Sequence, residues 1–135
     1  MALTAQENSP AGRVADDPLM RAAEAAFGRG PLWRALGRLV DLDAFCAAPR
    51  PARVTEDGTA LVAAARGTYA LRAETEAGRV TALSRVTPTD HLLAPGGALE
   101  RALATLPAAK AGLAALVVDL LDPCVAVDLQ ELADA

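Results

Sequence analysis

The sequence predicts an α+β fold: an N-terminal helical pair, a small antiparallel β-meander, then two C-terminal helices. Three observations carry this. Two proline-led segments before residue 51 hold apolar residues at helical spacing, residues 53–87 switch to short alternation with β-branched residues, and leucines return to helical spacing from Leu99 onward.

Taken in order, residues 1–16 mix Ser, Pro, Gly, Asn and charges without periodicity and read as a flexible tail, leaving residues 17–135 as a single domain. In "DDPLMRAAEAAFGRG", Asp17 is a natural N-cap, Pro18 suits the first helical position, and Gly28 or Gly30 ends the helix. "GPLWRALGRLVDLDAFCAAPRP" restarts at Pro31. Leu32, Leu36, Leu39 and Val40 keep the period until Pro49 and Pro51 stop it.

The next segment predicts two or three antiparallel strands. Tyr69, Leu71 and Ala73 alternate with Arg72 and Glu74, and Glu76, Ala77 and Gly78 form a turn into Val80, Ala82 and Val86. Asp57 and Gly58 supply a second turn. "PTDHLLAPGG" reads as loop. Two helices follow, separated near Pro107, with Leu99, Leu103 and Leu106 on one face of the first and Leu113, Leu116, Val117 and Leu120 on one face of the second. Pro123 ends the last helix, so Cys124 lies just past its C-terminus.

Composition narrows the function. The chain has 135 residues, enough for one core, and 53% of them are hydrophobic, but one Trp, one Tyr and two Phe are its only aromatics. A thin, alanine-lined core is expected. A net charge of −4 gives no basic face for nucleic acid or an anionic membrane. "MALTAQENSPAGRVADD" does not have the form of a signal peptide, and the apolar run Leu113 to Leu121 is short and broken by Asp119, so a cytoplasmic location is expected. Cys46 and Cys124, far apart, are then free thiols, Cys46 being a half-buried hydrophobe near Phe45.

Cys124 can be read as ligand, nucleophile or filler. A helix C-terminus presents partial negative charge and Asp122 adds more, which disfavours a nucleophilic thiolate. A closed zinc site needs four N or S ligands, and the chain offers two cysteines and one histidine, His91, so a metal must bring further ligands with it. His91 alone reads as a surface or hydrogen-bonding residue. "APGGAL" lacks the Lys and Ser or Thr of a phosphate loop, and no Ser–His pair sits in a nucleophile elbow. The expectation is a protein that is not an enzyme. Arg66 with Gly67, Thr89 with Asp90, and Asp122 with Cys124 remain as polar landmarks, and spacing alone favours turn chemistry for each.

In sequence order those landmarks gain another meaning. "AAARGTYALRAETEAGRVTALSRVTPTDHLLAPGGALERAL" followed by "VVDLLDPCVAV" resembles the C-terminal region of the large subunit of nickel–iron hydrogenases, from Leu61 to Val127. In that family an "EAPRG" segment leads to a strand hairpin, a "VPT"-like loop, helices, and a terminal "DPCxxCxxH" motif that binds the metals. The resemblance places Cys124 at the terminal nickel ligand, Asp122 at the motif aspartate, and Arg66 and Thr89 at the residues that contact the diatomic ligands of iron. A guanidinium fork and a hydroxyl are suitable donors for bound cyanide.

The departures are equally specific. Val127 stands at the bridging cysteine, Leu129 and Gln130 where the histidine belongs, and Ala63 and Ala65 replace the Glu and Pro of "EAPRG". The N-terminal Cys pair of the family is absent, which excludes a working hydrogenase subunit. A shortened large-subunit-like chain with incomplete ligands is similar to the HupK/HoxV-type hydrogenase expression/formation proteins. That resemblance implies an accessory scaffold or chaperone that transiently holds or delivers an iron centre with cyanide and carbonyl ligands, or a nickel–iron centre. The implied partners are maturation factors or the hydrogenase large-subunit precursor. The alternative is a degenerate hydrogenase-like interaction module that binds no metal.

Overall fold

Proline starts and left-handed stops decide where the helices lie. The structure, a computed structural model, describes residues 4–130. Asp17 accepts from the Leu19 amide at 2.8 Å and Pro18 opens helix α2 (Pro18–Phe27), which Gly28 ends with φ +70°. Helix α3 (Pro31–Ala47) starts at its proline and stops before Pro49, as the sequence predicts.

Residues 4–16 differ from the expected tail. Pro10–Arg13 form a short helix, α1, capped by Ser9, and Ala11 is fully buried against α3. A Cβ on Gly37 would stand 2.2 Å from the Ala11 Cβ, so α1 lies directly on α3 where α3 has no side chain. Asn8 pairs with both backbone groups of Thr68 (2.9 and 2.7 Å), and Arg13 donates to the Ala64 carbonyl at 3.0 Å. These ties span 51 to 60 residues in sequence and leave no trace in local periodicity.

The core centres on Trp33 and Met20, with Ala11 and Val14 beside them. Trp33 Nε1 donates to the Met20 carbonyl at 3.2 Å, which satisfies the indole where no water reaches it. Two turns further along α3, Asp41, also buried, accepts from Arg13 and from Arg50 (2.8 Å). Burial pushes the Asp41 carboxyl up, but the hydrogen bonds and charges of Arg13 and Arg50 outweigh it and hold the group below its usual 3.8.

Strands β1 (Arg53–Val54), β2 (Ala60–Ala64), β3 (Gly67–Glu76) and β4 (Arg79–Val86) form one antiparallel sheet in sequence order, one strand more than the pattern suggests. The extra member, β1, is only two residues long. Ala77 and Gly78, both with positive φ, make the tight β3–β4 turn, and Gly58 (φ +79°) serves the earlier one. Beyond Leu71 the β3–β4 hairpin is exposed on both faces, so its alternation marks strands rather than an inner side.

"PTDHLL", expected as loop, is helix α4 (Pro88–Leu93). Thr87 and Asp90 form a capping box, the Asp90 amide donating to the Thr87 hydroxyl (3.2 Å) and the Thr87 amide to the Asp90 carboxylate (2.7 Å). Helix α5 (Ala98–Ala104) precedes Pro107, and a 3₁₀ segment (Ala108–Leu113) leads into α6 (Ala114–Leu121). The buried face of α6 is Val117 and Leu121, while Leu113 and Leu116 face solvent. The architecture is α+β in the predicted order. Among the described residues, no helix is long and apolar enough to cross a membrane.

Candidate functional site

The site forms where α6 stops. Asp122 adopts the left-handed conformation (φ +51°, ψ +57°) that Asp tolerates better than most side chains, its amide still bonded to the Val118 carbonyl at 2.9 Å. Pro123 prevents continuation, and the chain swings Cys124 against the first turn of α4. There the Cys124 amide donates to Thr89 Oγ1 at 3.1 Å, and the Thr89 hydroxyl donates to Cys124 Sγ at 3.0 Å. Thr89 is buried and locked by the α4 cap. Cys124 is exposed.

Arg66 arrives from the β2–β3 connection. Its Nε donates to the Asp122 carbonyl and its Nη2 to Asp122 Oδ1, both at 3.0 Å. Gly67 makes this corner possible. Its φ of +144° suits glycine alone, and a Cβ would come 2.1 Å from the Asn8 carbonyl oxygen. Arg38, from α3, donates to the Leu120 carbonyl at 2.9 Å and stands 3.7 Å from Asp122 Oδ2. The negative end of α6 is therefore met by two guanidiniums.

All four residues singled out from the sequence thus come together, Arg66 with Asp122 and Thr89 with Cys124. The guanidinium fork of Arg66 is already occupied by Asp122, a contact that spacing did not suggest. A small pocket of about 30 Å³ adjoins the group, walled by Arg66, Thr89 and the Gln6–Ser9 segment. That segment is fixed by Glu7 pairing with Arg34, by Asn8 on Thr68, and by His91, whose Nδ1 donates to the Thr4 carbonyl at 2.7 Å. Sequence reasoning missed Arg38 and Asn8, whose contacts are long-range. It also missed the α4 cap, reading the segment as loop, although Thr87–Pro88 followed by Asp90 is a helix-start signature that could have found it.

Chemically, the arrangement offers a soft thiol, a hydroxyl held beside it, and two guanidiniums gathered on Asp122 two residues before the thiol. Among the described residues, no group of three or more His, Cys, Asp or Glu side chains stands together to hold a metal. Cys124 can therefore serve a metal as one ligand among others brought by the metal or a partner. Cys46, on the last turn of α3, is exposed rather than half-buried, because its face of the helix points away from the core.

No family model matches the chain. No solved structure matches it either. The hydrogenase expression/formation protein HupK of Rhodobacter capsulatus is 78% identical over all 135 residues. The match covers 46% of that protein, so the chain spans about half the length of the curated relative. Along all 135 residues, the chain is therefore similar to a HupK-type hydrogenase expression/formation protein.

Proposed function

We propose that this chain acts in hydrogenase maturation as an accessory scaffold that transiently holds or delivers the metal centre. The observation that carries the reading is the Thr89–Cys124 contact at 3.0 Å, supported by 78% identity over all 135 residues to a protein named as a hydrogenase expression/formation protein. Cys124 is the ligand to the centre, Thr89 the hydroxyl that orients it, and Arg66 the donor to the cyanide or carbonyl ligands of iron. Asp122 positions Arg66. The metal centre is cargo. A site with one thiolate and weak donors around it suits release, because fewer bonds hold the cargo than in a four-ligand site. Hydrogenase maturation factors or the large-subunit precursor receive it, in the cytoplasm, and the chain itself catalyses no reaction.

The chain purified after coexpression with the maturation machinery should show infrared bands of iron-bound cyanide and carbonyl. Cys124→Ala should lose those bands and hydrogenase maturation together while keeping its fold. A second reading, an interaction module that binds no metal, is favoured by one observation: the Arg66 fork is spent on Asp122. Normal maturation with Cys124→Ala, and no infrared bands from the wild-type chain, would select it.

A further inference from the structure

The C-terminal half of α3 faces the end of β2 across an open groove of about 320 Å³. Leu42 and Phe45 wall one side and Ala63–Ala65 the other, while Arg13, Arg38, Asp41 and Asp122 are its polar groups. The charges do not balance. Asp41 is shared by Arg13 and Arg50, and Asp122 by Arg66 and Arg38. Four guanidiniums thus meet two carboxylates, a local excess of positive charge in a chain whose net charge is −4. The excess also has donors to spare. Arg38 makes one hydrogen bond, to the Leu120 carbonyl, and Arg50 makes one, to Asp41, leaving most of their N–H groups without a partner among the described residues. Both side chains are 34% exposed, so an incoming group can reach them.

We infer that this groove binds an acidic peptide segment of a partner protein, with an Asp or Glu carboxylate on Arg38 and an adjacent apolar side chain against Leu42 and Phe45. Charge complementarity selects the carboxylate: a guanidinium fork matches it in shape, and a cleft with apolar walls focuses the field that attracts it. The excess is one charge at each aspartate, which suits singly charged groups. The openness of the groove selects a peptide. A small-molecule pocket encloses most of its ligand, whereas this cleft leaves one side open and suits side chains presented by a larger chain. Asp122 belongs both to the groove and to the corner that carries Cys124, so the bound segment lies beside the candidate site. The inference stands on charge and shape and holds whether or not a metal binds.

The test selects a phage-displayed library of random peptides on the purified 135-residue chain and titrates the recovered sequences, as labelled synthetic peptides, by fluorescence anisotropy. The recovered peptides should be enriched in Asp or Glu next to Leu, Ile or Phe, and their binding should weaken as salt rises from about 50 to about 500 mM. Arg38→Gln removes the charge, and the affinity should fall about fivefold or more. Leu42→Glu places a competing carboxylate on the groove wall at a position 60% exposed, where the fold does not depend on the leucine, and should weaken binding likewise. Circular dichroism checks that both variants keep their fold. Recovery of no binder, recovered peptides without acidic enrichment, or equal affinity for wild type and Leu42→Glu overturns the inference. So does binding that is indifferent to salt, which would assign the groove to a purely apolar contact.

Discussion

The N-terminal helices and the C-terminal helices of this chain are built to different standards. Helices α1–α3 enclose the indole of Trp33, bury an arginine–aspartate network, and approach so closely that Gly37 cannot carry a Cβ. Helices α5 and α6 and the 3₁₀ segment bury only Val117 and Leu121. The candidate site sits at the seam, taking Arg38 from the well-packed part and Cys124 from the thin one. The burial is concentrated away from the candidate site, and the cysteine corner is held by hydrogen bonds to α4 and by arginines rather than by a core.

The comparison breaks most severely at Trp33. Trp33→Ala removes the largest buried side chain and should cost about 3–5 kcal/mol in urea unfolding. Next is Asp41→Asn, which strands Arg13 in a nearly dry position and should cost about 3 kcal/mol. Because the Asp41 pKa is depressed in the folded state, its contribution is fully present above the unfolded carboxyl range and is lost as pH falls through the lower folded value. The stability difference between wild type and Asp41→Asn should therefore shrink as the medium is acidified below about pH 4. An unchanged difference at acid pH would mean the pair is not the source. Smaller again, Gly37→Ala forces α1 off α3 and should cost about 1–3 kcal/mol, read as a fall in the urea midpoint.

Legibility in the sequence followed the range of the interaction. The starts of α2 and α3, the Ala77–Gly78 turn and the stop at Pro123 were written in local residues, because caps, left-handed turns and prolines act within a few positions. The burial of Ala11 was not. Its cause is a gap at Gly37 and a pairing of Asn8 with Thr68, both remote in sequence, inside a segment whose composition mimics disorder. Leu32 and Leu39 fit the helical period yet face outward, since periodicity shows that a helix is apolar without showing which face has a partner. The candidate residues were chosen through motif order, whereas the engagement of Arg66 by Asp122 depended on the left-handed turn that aims the Asp122 carbonyl at it.

The smallest stability effect is expected at the site itself. Arg66 and Asp122 are 43% and 37% exposed, and an ion pair so open to water contributes at most about 1 kcal/mol even with a two-pronged fork. Arg66→Ala should then leave the urea midpoint nearly unchanged, because Arg38 still caps the Leu120 carbonyl. Arg66→Lys keeps the charge but lacks the fork needed to grip the Asp122 carbonyl and carboxylate together. If the fork matters for cargo, both variants should lower hydrogenase maturation and lysine should not rescue it. If Arg66 serves only as a charge at the end of α6, lysine should restore whatever alanine loses. Equal maturation in all three proteins would separate the arginine from function entirely and leave the Thr89–Cys124 contact as the sole chemical feature of the corner.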